Sequence, residues 1–489
     1  MSAIPPTAPP SEPLEAARSG LDVLLDSSRM KALTRQWEAL AYAGSAPLTP
    51  ARRSALTAAL DAVIADVRGE RYPPGVLARC GARGEFGGNA RTDPRFAHPA
   101  WEEQPAFRLI RDSYLLFQQA LQAPGRDPEP DDKPGPHRVT RMLRRLVAEA
   151  CAPTNFATTN VEALLEAQRT RGGSLRRGML ALARDLEPRG GLARIPTCDR
   201  QAYVLGRDVA ATPGSVVHRT ALAELIQFGP TTERVHRRPL LIVPPWINRY
   251  YILDLRAENS LVRWAVARGH TVFVVSWLNP GPDQGHLDFE DYLRDGVLAA
   301  LDGIDRCTGI REINALGYCM GGTLLACAQA YLAAIGDARI YAATYVSTLL
   351  DFEEPGDVGV FTAGWTEGGG DGGAASREVS LLPGDGLFAM FALLRANELI
   401  WRPYINNYLL GRPPPVHDLL FWNEDTTHLP GAMHRFFVRR MYHENALCEA
   451  GRISLLGVPL DLKAVRRPTY VFCGEDDHIV PWRSAYASA

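Results

Sequence analysis

The chain has no CxxC pair, no long apolar run and almost no net charge, and each absence removes a class of protein. Its eight cysteines, at positions 80, 151, 198, 307, 319, 327, 448 and 473, are scattered. Scattered thiols argue for a reducing compartment and against both a disulfide framework and a zinc site. No stretch reaches the roughly 18 consecutive apolar residues that a membrane-spanning helix needs. Residues 1–13 are rich in proline and alanine and lack the basic start and apolar centre of a secretory signal. A net charge of -2 gives no electrostatic footprint for nucleic acid. The expectation is therefore a cytoplasmic location, with no metal, no cofactor, no transmembrane segment and no nucleic-acid partner. What is present is an ordinary globular composition, 46% hydrophobic and 22% charged, in 489 residues, too many for one small core.

The most informative stretch is Gly317-Tyr318-Cys319-Met320-Gly321-Gly322. An apolar run, residues 312–316, precedes it and reads as a strand. A helix-forming run, residues 323–332, follows and is closed by Gly336. Strand, tight turn and helix with glycines flanking the central residue make a nucleophile elbow, here with cysteine in the serine place. The flanking residues must be small because a Cβ would collide in so sharp a bend. At the positive end of a helix the thiolate is favoured, so Cys319 is expected to be an activated nucleophile. A buried, inert cysteine is the bland alternative, and the flanking glycines in register weigh against it.

The rest of the chain organises around this turn. Residues 1–20 read as a disordered leader and 21–200 as a mainly helical N-terminal domain. Within that domain Trp101, Phe107, Leu109, Ile110, Tyr114, Leu115, Leu116 and Phe117 form an apolar face at helical spacing. A proline-rich polar loop covers 124–136. From about Ala202 the pattern becomes strands alternating with helices, with strands at 203–204, 223–228, 240–243, 271–277, 341–348 and 468–474 and helices at about 259–267 and 289–307. The nearly continuous apolar strand at 271–277 suits a parallel sheet covered on both faces. The fold class is α/β: an α/β-hydrolase core in two parts, 201–350 and 451–489, split by a cap insertion at 351–450. The second part reads as incomplete. Cap aromatics such as Trp401, Trp422, Phe437 and Tyr442 read mainly as cap core.

Chemistry in such sheets gathers at the carboxyl ends of the strands. Glu475-Asp476-Asp477-His478 lies just past the last one, in the acid's place. Asp477 is the candidate acid, and His478 a supporting residue that braces its loop. The oxyanion donors are expected to be the backbone N–H of Met320 and one from the loop Pro244-Pro245-Trp246-Ile247-Asn248. The prolines have no N–H, which leaves Trp246 or Ile247, and Ile247 is the choice. His270, His286, His417, His428, His434 and His443 all precede the acid. A hydrolase-type base should follow it, and residue 489 falls inside a helix that begins near Trp482.

These same residues resemble polyhydroxyalkanoate synthases of the single-subunit type. The likeness is carried by the lipase-like box at 317–323 and by residues 244–255 (PPWINRYYILDL), 276–280 (SWLNP), 418–423 (DLLFWN) and 475–482 (EDDHIVPW). Residues 152–156 (APTNF) belong to it as well. The resemblance implies an acyltransferase that polymerises (R)-3-hydroxyacyl-CoA and releases coenzyme A. By that likeness Cys319 carries the growing chain as a thioester, and Asp477 assists a histidine or activates the substrate hydroxyl. It also implies a homodimer associated with the surface of polyester granules. The family's histidine sits in a Gly-His element beyond the position of Asp477, past residue 489, so the sequence reads as a fragment. The rival readings are a thioesterase or polyester hydrolase of the same fold, and a non-catalytic granule-associated protein.

Overall fold

The computed structural model describes residues 93–122, 136–185, 194–362 and 381–489. The expected leader and all of the proline-rich loop but Pro136 lie outside the described residues. By its contacts the chain divides into a helical unit, whose described residues are 93–122, 143–184 and 404–412, and an α/β unit formed by the remainder.

The helical unit is built on the apolar spacing seen in the sequence. Helices Ala100–Glu103 and Pro105–Gln122 bring Trp101 and Tyr114, each 2% exposed, onto Phe96, Ala152 and Val161. The Tyr114 hydroxyl donates to the carbonyl of Ala148 at 3.0 Å, which gives its polar end a partner inside the core. Asn160 caps helix Val161–Arg169 by accepting from Ala163 N at 2.8 Å. Residues from far along the chain complete the unit. Tyr408 lies so close to helix Gly173–Asp185 that a Cβ on Gly178 would stand 1.9 Å from its carbonyl oxygen.

The α/β unit holds one seven-stranded sheet. Its strands are β1 (Gly214–Arg219), β2 (Ala223–Phe228), β3 (Leu240–Val243), β4 (Val272–Trp277), β5 (Ile313–Tyr318), β6 (Ile340–Val346) and, later in the chain, Thr469–Phe472. Two short two-stranded pairs intervene: β7 (Leu381–Leu382) with β8 (Leu429–Pro430), and β9 (Ser454–Leu455) with β10 (Val458–Pro459). Thr469–Phe472 is therefore β11. The sheet order is β1-β2-β4-β3-β5-β6-β11. From β4 to β11 every pairing is parallel, and only β1 and β2 run antiparallel to their neighbours. Val272, Phe273, Val274 and Val275 are at most 1% exposed, as both faces of β4 are covered. Helix Leu261–Ala267 packs one face, with Ser260 as its cap. Helix Met320–Ala334 and the segment 289–308 pack the other.

Two sequence expectations change. Tyr203 and Val204 form no strand; the local structure is a turn closed by a single bridge between Leu205 and Val209. The first strand is instead β1, whose exposed edge position leaves it without the apolar signature of the central strands. The helix expected over 289–307 is interrupted, running as Phe289–Asp291, a π-helical Tyr292–Leu298 and then Ala299–Thr308. Gly296 in the π segment lies against the Trp277 indole, where a Cβ would come within 2.3 Å. No described helix is long and apolar enough to cross a membrane.

Candidate active site

Cys319 ends β5 and starts helix Met320–Ala334 with φ 53° and ψ −126°. A non-glycine residue in that region carries backbone strain of about 1–3 kcal/mol, which persists only where the surroundings enforce it. Here they do. Cys319 N donates to Val346 O at 2.9 Å, and Cys319 O accepts from Gly322 N at 2.8 Å and from Thr348 Oγ1 at 3.3 Å. The glycines are needed for close approach. A Cβ would lie 2.4 Å from Gly322 Cα at Gly317, 2.2 Å from Val243 O at Gly321 and 2.1 Å from Thr348 Oγ1 at Gly322. The turn is thus clamped between the loop after β3 and the loop after β6.

The electrostatics differ from the sequence expectation. Burial pushes the Cys319 thiol up, to about 11; the backbone N–H of Met320 counters this only in part, and the Asp477 charge adds to the rise. Desolvation, a long-range property of the fold, therefore outweighs the helix end, and the resting residue is a neutral thiol. A neutral thiol needs a base before it can attack.

The loop after β3 stands beside the elbow, since Gly321 abuts Val243 O and Pro244 O. It is held by Trp277 Nε1 donating to Pro244 O at 2.9 Å, Asn248 N donating to Thr427 Oγ1 at 2.8 Å and Trp422 Nε1 donating to Arg249 O at 2.7 Å. Among the described residues no hydrogen bond occupies the backbone N–H of Trp246 or Ile247. Both therefore remain available as donors.

Asp477 lies in the turn after β11, partly buried, whereas Glu475 and Asp476 are exposed. Its Oδ1 accepts from Ile479 N and Val480 N, each at 2.9 Å, which fixes the carboxylate, and among the described residues no cation pairs with it. His478 is tied from two sides. Its carbonyl accepts from Asp357 N at 2.9 Å, and its ring nitrogens lie 3.1 and 3.2 Å from the Arg395 guanidinium. Gly356, at φ 66°, lets this approach occur: a Cβ there would be 2.6 Å from His478 O. The structure thus brings Cys319, Met320 and Asp477 into one electrostatic neighbourhood. Several histidines engage elsewhere, His218 with Arg306, His236 with Arg268 O, His286 with Asp283 O and His428 with Gly384 N. Among the described residues no trio of His, Cys, Asp or Glu is placed to hold a metal ion.

Two groups near the site were not singled out from sequence. Asp357, in the turn Pro355-Gly356-Asp357, anchors the acid loop. Tyr442, read only as cap core, has a phenol on which the Cys319 charge acts.

A strained cysteine at the crest of the central parallel strand, with an acid past a later strand of the same sheet, defines an α/β-hydrolase-fold protein. The profile for the alpha/beta hydrolase fold matches residues 246–489, and that for "Poly-beta-hydroxybutyrate polymerase (PhaC) N-terminus" matches residues 92–265. The chain is 44% identical over 397 residues to the poly(3-hydroxyalkanoate) polymerase of Methylorubrum extorquens, covering 81% of this chain and 65% of that protein. To the poly(3-hydroxyalkanoate) polymerase subunit PhaC of Rhizobium meliloti it is 40% identical, covering 81% and 64%. To the PhaC subunit of Cupriavidus necator it is 40% identical, covering 81% and 67%. The chain belongs to the PhaC family of poly(3-hydroxyalkanoate) polymerases. It spans just under two thirds of the length of the first two of these relatives.

Proposed function

We propose that the protein is an acyltransferase that polymerises (R)-3-hydroxyacyl-CoA into polyhydroxyalkanoate and releases coenzyme A, with the acyl chain held on Cys319 as a thioester. The single observation that carries this reading is the clamped positive φ of Cys319 within a chain of the PhaC family. Strain at one residue, enforced by three close-packed glycines, has no structural purpose in a buried inert cysteine.

In this mechanism a base takes the Cys319 proton as the sulfur attacks the thioester carbonyl. Asp477 orients that base and stabilises the positive charge it gains, the role of a triad carboxylate. The oxyanion is received by Met320 N–H and by Ile247 N–H from the neighbouring loop. Coenzyme A leaves as a thiol, and because one thioester replaces another the step is nearly balanced in energy. His478 acts indirectly by holding the acid turn through Asp357. The aromatic residues Trp246, Phe352, Phe436 and Phe437 pack together in the apolar core of the unit. By likeness to the family, we assign the protein to the cytoplasmic surface of polyester granules, as a homodimer.

Incubation with (R)-3-hydroxybutyryl-coenzyme A tests the reading. The expected results are a mass increment on Cys319, free coenzyme A and insoluble polyester. Free hydroxy acid with no polymer would replace the synthase with a thioesterase. Coenzyme A release undiminished in Cys319→Ala would remove the cysteine from the mechanism.

A further inference from the structure

Resting on the function proposed above and deepening it, we infer that Ser488 and Ser484 are positioning residues for the reaction. They latch the helix that follows the acid turn to the segment after β6, and so set Asp477 against Cys319.

Segment 347–357 is hydrogen-bonded to both halves of the site. At its start Thr348 Oγ1 donates to Cys319 O at 3.3 Å, and Leu349 O accepts at 2.8 Å from Thr323 Oγ1, four residues past the nucleophile. Ser347 N donates at 2.7 Å to Phe472 O of β11, the strand that leads to the acid. At the far end Asp357 N donates to His478 O at 2.9 Å, next to Asp477. The backbone is left-handed at Ser347, with φ 44°, and at Gly356, with φ 66°. A strained non-glycine residue such as Ser347 persists only where its surroundings enforce it. The segment is a spacer, and its shape relates one group to the other.

Between these ends the segment is held by helix Trp482–Ala487 and its cap, Ser488. Ser488 Oγ accepts from Leu350 N at 3.0 Å and from Asp351 N at 3.1 Å, and donates to Ser484 O at 2.8 Å. A hydroxyl has one donor and two acceptor sites, and all three are used. Ser484, 4% exposed, donates from its Oγ to Glu354 O at 2.7 Å. Four residues apart, the two serines share one helix face. The helix starts two residues after Val480, whose N–H holds the Asp477 carboxylate. Where the latch holds the helix, the acid turn follows. A displacement of about 1 Å in a reacting partner can cost about 100-fold in rate.

Asn445 grips the same segment from another element. It accepts from Phe352 N and donates to Asp351 Oδ1, each at 2.8 Å. Loss of the Ser488 hydroxyl should therefore loosen the segment without unfolding it.

The test is a double-mutant cycle between Ser488→Ala and Asp477→Asn, read as coenzyme A release from saturating (R)-3-hydroxybutyryl-coenzyme A. Ser488→Ala alone should lower turnover about tenfold, with KM little changed and the melting temperature down by only a few degrees. In the Asp477→Asn background the same change should cost less than about twofold, because the group it positions no longer works. Ser484→Ala frees a single carbonyl and is read in the same cycle, with a smaller loss and the same dependence on Asp477. A loss of equal size in both backgrounds, for either serine, would make the latch structural and overturn the inference while leaving the proposed function standing. Parent turnover in Ser488→Ala would overturn it as well. If the parent releases no coenzyme A, the function falls and the inference with it.

Discussion

The elbow around Cys319 and the turn around Asp477 lie at the carboxyl ends of strands in one sheet, yet they are built in opposite ways. The elbow is held by close approach: a Cβ at Gly317, Gly321 or Gly322 would stand 2.1–2.4 Å from Gly322 Cα, Val243 O or Thr348 Oγ1, and the residue these glycines flank is strained. The acid turn is less tightly packed, and hydrogen bonds hold it instead, from Ile479 N and Val480 N to Asp477 Oδ1. A Cβ on Gly474 would meet Asp477 Cβ at an ordinary 3.7 Å, and Asp357 and the close fit of Gly356 add restraint from a neighbouring loop. Among the described residues β11 comes last in the sheet order, with Tyr470 and Phe472 largely exposed, whereas β5 is central. The attacking residue is thus fixed by close packing, and the acid by hydrogen bonds.

Substitutions can break this comparison. The largest effect is expected for Cys319→Ala, with acyl loading down about 10⁴-fold or more while the melting temperature stays within a few degrees. Loading that survived the change would move the nucleophile elsewhere. Next is Gly321→Ala, whose Cβ would collide with Val243 O and Pro244 O. It should cost more than about 3 kcal/mol, seen as loss of folded protein in urea titration. A tolerated alanine would show that the clamp is not rigid. Asp477→Asn keeps an oxygen to accept from Ile479 N and Val480 N, so the turn should persist. Turnover should fall about 100-fold with little change in stability. Loss of folding instead would make Asp477 structural.

The raised thiol gives a smaller, pH-dependent effect. Its ordinary value is 9.0 and burial lifts it to about 11. Alkylation of Cys319 by iodoacetamide should keep rising with pH toward 11, and a plateau near pH 8 would mean an activated resting thiolate. The sign for stability follows. The fold favours the neutral thiol, so this contribution is fully present below about 9 and is lost as pH rises through about 11. The smallest effect is expected at the acid turn, where Gly474→Ala should shift stability by less than about 0.5 kcal/mol. A cost near that of Gly321→Ala would erase the distinction between the two regions.

The elbow was legible in the sequence because the small residues that permit its close packing stand at fixed offsets, with strand before and helix after. The sheet was legible for the same reason wherever strands are buried on both faces, and β1 escaped because an exposed edge writes no apolar pattern. Asp477 could be placed in its turn, but the preference over Glu475 and Asp476 acquires a physical basis only from burial and from the amides of Ile479 and Val480. The thiol's protonation was misread because a helix end is visible in sequence and desolvation is not.

The segment 404–412 has a consequence for how such a protein can be taken apart. Because Tyr408 O sits on Gly178 and Ser174 O presses on Gly411, the helical unit is stitched together from pieces more than two hundred positions apart. A cut after residue 185 would not release it as a self-contained cassette; it would expose a seam made for a missing thread. Shuffling this unit between relatives should succeed only when the distant thread travels with it.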